Sequence, residues 1–102
     1  MKEQFNPLQI SKVIDQALIY QCACPAQVCS TIFELRELYE YQMNCANDSE
    51  NDQLVHATIA EATEKAHQLM EDCLRKILEI EGWDTGAMIM PSALKKKITK
   101  SI

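Results

Sequence analysis

Apolar residues return at every third or fourth position along most of this chain, with polar residues between them. The first such stripe is Ile10, Val13, Ile14, Ala17 and Leu18, set against Lys12, Asp15 and Gln16. That spacing turns one side of a helix toward a core. Asn6 is a good N-cap and Pro7 suits the first helical position, so a helix is expected over about 7–20. Residues 21–24 read as a short connection. A second helix is expected over about 25–46, with Cys24 pushed out of the helical region by Pro25 and serving as N-cap. Its face is Val28, Ile32, Leu35 and Tyr39, widened by Phe33 and Leu38.

A polar stretch from Asn44 to Asn51 follows, with Asp48 and Ser49 the best caps for a third helix over about 50–81. Val55, Ile59, Ala62, Ala66, Leu69 and Cys73 alternate four and three, a coiled-coil-like seam. Gly82 is a natural stop, and Trp83 is placed to fold back on Leu78. Residues 84–91 read as a loop, and Ser92 can cap a short helix over 93–100, with Leu94 and Ile98 one turn apart. No stretch alternates with period two over five residues, so strands are not expected. The fold class is all-α: one domain over 1–102, an antiparallel three-helix bundle with a short additional C-terminal helix or tail.

Short connections favour antiparallel neighbours. If the hairpin closes near Asn47 and Asp48, facing residues of helices two and three have numbers summing to about 95. The first helix then covers only the lower half. Tyr39, Met43, Val55 and Ile59 are left along an incompletely covered seam, which reads as a homodimer surface or as a slot for another helical protein. The returning tail from Met88 to Ile102 is a rival cover.

Composition narrows the possibilities. The net charge of −5 hides an acidic body, with six Lys/Arg against 15 Asp/Glu up to Met90, and a tail carrying Lys95, Lys96, Lys97 and Lys100. An acidic body argues against nucleic acid, whose phosphates need a basic face. The tail is either solvated or in contact with an acidic surface. No apolar run nears the roughly 20 residues that span a bilayer, so no membrane role is expected. The first residues lack the apolar stretch of a signal peptide, and a cytoplasmic location is expected. There thiols stay reduced, and five cysteines could not all pair in any case.

The chemistry concentrates around Pro25. The hairpin register sets Cys73 level with Cys22, and His67 level with Val28 and Cys29. Cys24, as N-cap, would sit in the positive end of a helix dipole, which favours thiolate. Cys22 or Cys29 could then resolve an oxidised Cys24. Alternatively Cys22, Cys24, Cys29 and Cys73, with His67 as a substitute, could bind one thiolate-held ion, zinc or Cu(I). The spacing is not that of a zinc finger, and the same cysteines also suit small apolar positions at a helix joint.

Other motifs are thinner. Glu64-x-x-His67 has the spacing of one di-iron ligand pair, but no second copy exists. His56 lies three turns from His67, too far to share an ion. No glycine-rich turn offers an oxyanion or phosphate nest, so no catalytic residues are assigned and enzyme activity is not expected. Two functions remain. The first is an adaptor or regulatory protein acting by helix-face association, expected as a homodimer. The second is a thiol-based redox sensor or metal-binding module.

Overall fold

The computed structural model of the chain describes residues 1–19, 22–45 and 49–94. These form three α-helices: α1 over Pro7–Asp15, α2 over Cys24–Asn44 and α3 over Glu50–Glu81. Single 3₁₀ turns follow at Gln16–Ile19 and Ser92–Leu94. Among the described residues there is no strand, only an isolated bridge between Asp84 and Ile89. The protein is all-α.

Local chemistry explains the helix ends. Asn6 Oδ1 accepts from the Gln9 amide and Gln9 Oε1 accepts from the Asn6 amide, both at 2.8 Å, a closed capping box. Ser49 Oγ accepts from the Asp52 amide at 3.1 Å and starts α3. At the far end Gly82 takes φ 79, and its amide and that of Trp83 bond the Glu79 and Leu78 carbonyls. That is a Schellman stop, and Trp83 is buried in the same cluster as Leu78.

Two sequence expectations need correction here, and a third falls mostly outside the described residues. The α-helical part of the first helix ends at Asp15, not near 20, and the chain tightens into a 3₁₀ turn. The Gln16 side chain is drawn to a distant loop there, donating to the Met88 carbonyl at 2.7 Å and accepting from the Met90 amide at 2.9 Å. Second, α2 begins at Cys24 and ends at Asn44, and its N-cap is Ala23, which supplies no side-chain hydrogen bond. Cys24 is therefore a helical residue, not a cap. Third, only Ser92–Leu94 of the expected C-terminal helix is described, as a 3₁₀ turn; residues 95–100 lie outside the described residues.

The seam of α3 is also rotated from the apolar reading. Leu69 and Ala62 face outward, while Ala60, Thr63, His67, Glu71, Leu74 and Leu78 are buried. A purely hydrophobic count passes over His67 and Glu71, and so selects the neighbouring stripe. Thr63 sits there at little cost, because its hydroxyl bonds the Ile59 carbonyl at 2.7 Å.

Contacts between α2 and α3 run in opposite senses. Gln42 meets His56 near the turn, and Arg36 meets His67 farther from it. The first pair of numbers gives 98 and the second 103, not the expected 95. The core gathers at one end: Ile10 and Val13 of α1, Cys29 and Ile32 of α2, Leu74 and Leu78 of α3, joined by Phe5, Trp83, Met88 and Met90. The loop carrying Met88 and Met90 thus packs beside α1. Met88 and Met90, which begin the tail that was the rival cover for the upper seam, lie in this lower core, and residues 95–102 lie outside the described residues.

Candidate functional site

Three features stand out from this frame: a thiol pair at the start of α2, a buried charged cluster, and an exposed apolar stretch near the turn.

At the joint, Cys22 and Cys24 place their sulfurs 2.8 Å apart, and both residues are exposed. The bond is asymmetric. The hydrogen bond between the two thiols, together with one from the Cys24 backbone, lowers the Cys22 pKa from its ordinary value. Cys24, holding its proton in that bond and facing the Cys22 charge, is shifted upward. The helix dipole alone points to Cys24 as the activated thiol; hydrogen bonding within the pair lowers the pKa of Cys22 and raises that of Cys24 instead. Cys29 is buried in the core, and desolvation pushes its thiol up to about 12, so it is a packing residue in this state.

The expected gathering of Cys22, Cys24, Cys29, Cys73 and His67 does not occur. Among the described residues, no three His, Cys, Asp or Glu side chains are arranged to hold a metal ion. The register explains this. The acidic residue whose charge acts on Cys22 and Cys24 is Glu81, at the end of α3, not a residue near Cys73. His67 is engaged by Arg36, whose Nε donates to its Nε2.

The charged cluster was missed by sequence reasoning. Glu71 and His67 are each 1% exposed. Arg36 Nη2 donates to Glu71 Oε2 at 3.1 Å and to the Phe5 carbonyl at 2.6 Å. The same carboxylate oxygen accepts from the Gln4 and Phe5 amides at 2.8 and 3.1 Å. Arg36 Nε donates to His67 Nε2 at 2.9 Å, which requires that nitrogen to be unprotonated. His67 is then neutral, with its Nδ1–H turned toward Glu71 Oε1 at 3.5 Å. Burial, opposed by the nearby Glu71 charge and aided by Arg36, lowers its pKa from the ordinary value.

The cluster ties the N-terminal segment to both long helices. A cleft of about 300 Å³ opens beside it, lined by Met1, Lys2, Gln4, Glu64, His67, Gln68 and Glu71. The carboxylate partner of His67 is Glu71, one turn on, rather than the Glu64 singled out by spacing. The available signal was the i, i+4 pair itself, lying on the buried stripe.

Near the turn, Gln42 Oε1 and His56 Nδ1 lie 2.6 Å apart, and the buried residues there are small or polar. Of the four seam residues expected at an interface, Tyr39 and Ile59 are half-buried against the hairpin. Met43 and Val55 are 60% and 53% exposed. Tyr41 and Leu54 are more exposed still, at 65% and 66%.

No protein-family model, no curated protein and no solved structure matches this chain. No helix among the described residues is long and apolar enough to cross a membrane.

Proposed function

We propose that the protein acts by association: an antiparallel three-helix bundle whose half nearest the α2–α3 turn pairs with the same half of a second copy. One observation carries this reading. Met43 lies eleven residues, about three turns, beyond Ile32 on α2, and so continues the stripe that is fully buried at the other end. Val55 likewise continues the half-buried stripe of Ile59, Ala66 and Met70 on α3. These residues have the pattern of a core, and among the described residues nothing covers Met43 and Val55.

The size of α1 supports the same view. At nine residues, or about 14 Å, it is too short to follow the roughly 48 Å of α3. Pairing two such halves would bring four helix segments together, with Tyr41, Met43, Leu54 and Val55 at or beside the contact. Each fully buried aliphatic side chain would contribute about 1.5–3 kcal/mol. The cytoplasm, where five free thiols stay reduced, is the proposed location.

Sedimentation velocity at tens of micromolar tests the reading. A dimer is expected, and the Met43→Glu/Val55→Glu double variant is expected to sediment as a monomer with unchanged helicity. A monomeric wild type would retire self-association and turn attention to a different helical partner for the same slot.

A further inference from the structure

We propose that Cys22 and Cys24 form a redox site: a dithiol that closes to an intrachain disulfide when a hydroperoxide oxidises it. The site stands on geometry independent of the association surface. Both residues are exposed and unpaired, and their sulfurs already touch at 2.8 Å. The backbone permits closure. Ala23, between them, has φ −85 and ψ 11, near the helical region. A middle residue in that region sets the flanking Cα atoms about 5.5 Å apart, the separation most disulfides adopt. From there the sulfurs need approach by less than about 1 Å to reach bonding distance.

The chemistry balances with hydrogen peroxide, the simplest hydroperoxide, as the only co-reactant. Cys22 loses its proton to solvent, and its thiolate attacks one peroxide oxygen. The O–O bond breaks, a sulfenic acid forms on Cys22, and the hydroxide released takes up a proton as water. The Cys24 thiol then attacks the Cys22 sulfur, forming the S–S bond and expelling a second water. Two thiols are oxidised, one peroxide is reduced, and no metal or cofactor is required. Hydrogen bonding with Cys24 favours the thiolate on the attacking sulfur, and the resolving thiol is a partner in that bond.

The location gives the reaction a structural consequence. Cys24 is the first residue of α2, and Pro25, buried next to it, fixes the following turn. A bond from Cys24 to Cys22 pins the connection entering α2 without disturbing the core. Cys29, five residues on, is an internal control, since burial withholds it from oxidant.

The test uses the full chain, reduced, exposed to stoichiometric hydrogen peroxide and then alkylated. Before alkylation, intact mass is expected to fall by two hydrogens, about 2 Da; after it, two fewer thiols carry the label, with full reversal by dithiothreitol. Fragment ions of the wild-type peptide spanning 13–36 are expected to place the link between Cys22 and Cys24. Cys29→Ala is expected to keep the mass loss. Cys24→Ser is expected to abolish it and to leave a sulfenic acid on Cys22 that dimedone captures. The proposal falls if wild-type protein shows no such loss, if the link maps to Cys29, Cys45 or Cys73, or if Cys24→Ser oxidises as wild type does. Because the decisive mapping is made on the unaltered chain, failure of a variant to fold cannot hide the answer.

Discussion

The two halves of the α2–α3 hairpin carry the same helical periodicity and have opposite fates. At the end near Pro25, α1 and the loop after Gly82 cover the pair, and Ile32, Leu74 and Leu78 are fully buried. Toward the turn no third layer is present among the described residues. The buried or half-buried residues there include Gln42, His56, Ala60 and Thr63, while Tyr41, Met43, Leu54 and Val55 turn outward. Periodicity therefore reports which side of a helix is apolar, and says little about what covers it. Separating the halves is the buried cluster of Arg36, His67 and Glu71, where the apolar core stops.

That division can be broken at its boundary first. Removing Glu71 leaves Arg36 and the Gln4 and Phe5 amides without their shared acceptor. Glu71→Ala is expected to lose about 3–5 kcal/mol of unfolding free energy in urea titrations. Leu74→Ala, inside the covered half, is expected to cost about 2–5 kcal/mol in the same assay. An equal loss from Val55→Ala would erase the distinction between the halves.

Acid provides a gentler probe. The folded-state pKa of His67 lies below its unfolded value of 6.5, so the unfolded chain takes up that proton first. Its contribution is whole above about pH 6.5 and declines as pH drops from there toward the folded value. Arg36, Glu71, Glu3 and the N-terminal amine are the charges that act on it. The slope from this one group is at most about 1.4 kcal/mol per pH unit. Urea midpoints in His67→Gln, compared with wild type between pH 7 and 5, should lose that component; an unchanged slope would mean His67 is not held neutral.

The smallest effect is expected near the turn. Val55→Ala should shift monomer stability by less than about 0.5 kcal/mol, measured at concentrations where association is absent. At tens of micromolar the same variant should lower the dimer fraction seen by sedimentation. A loss of stability without a change in association would place Val55 in a core after all.

What the sequence made legible was local. Asn6-Pro7, Ser49 and Gly82-Trp83 bound their helices as expected, because caps and left-handed stops depend on atoms a few residues apart. The rotated seam escaped because burial of His67 and Glu71 depends on Arg36, more than thirty residues away, and on backbone groups of Gln4 and Phe5. The thiol site was half legible. The neighbours Cys22 and Cys24 do meet, whereas assembling Cys29, Cys73 and His67 around them required a helix register that the hairpin does not adopt. Met88, in the left-handed region at φ 57, carries no sequence sign of that conformation, which non-glycine residues occupy at some cost.

The amide of Gln16 offers one hydrogen and one lone pair to the same loop, much as a neighbouring strand would. Exchanging it for glutamate would keep the shape and the Met90 contact while setting an oxygen against the Met88 carbonyl, so the rung would become a repulsion. A change of a single functional group could thus unlatch the closing loop from α1 and leave every helix intact.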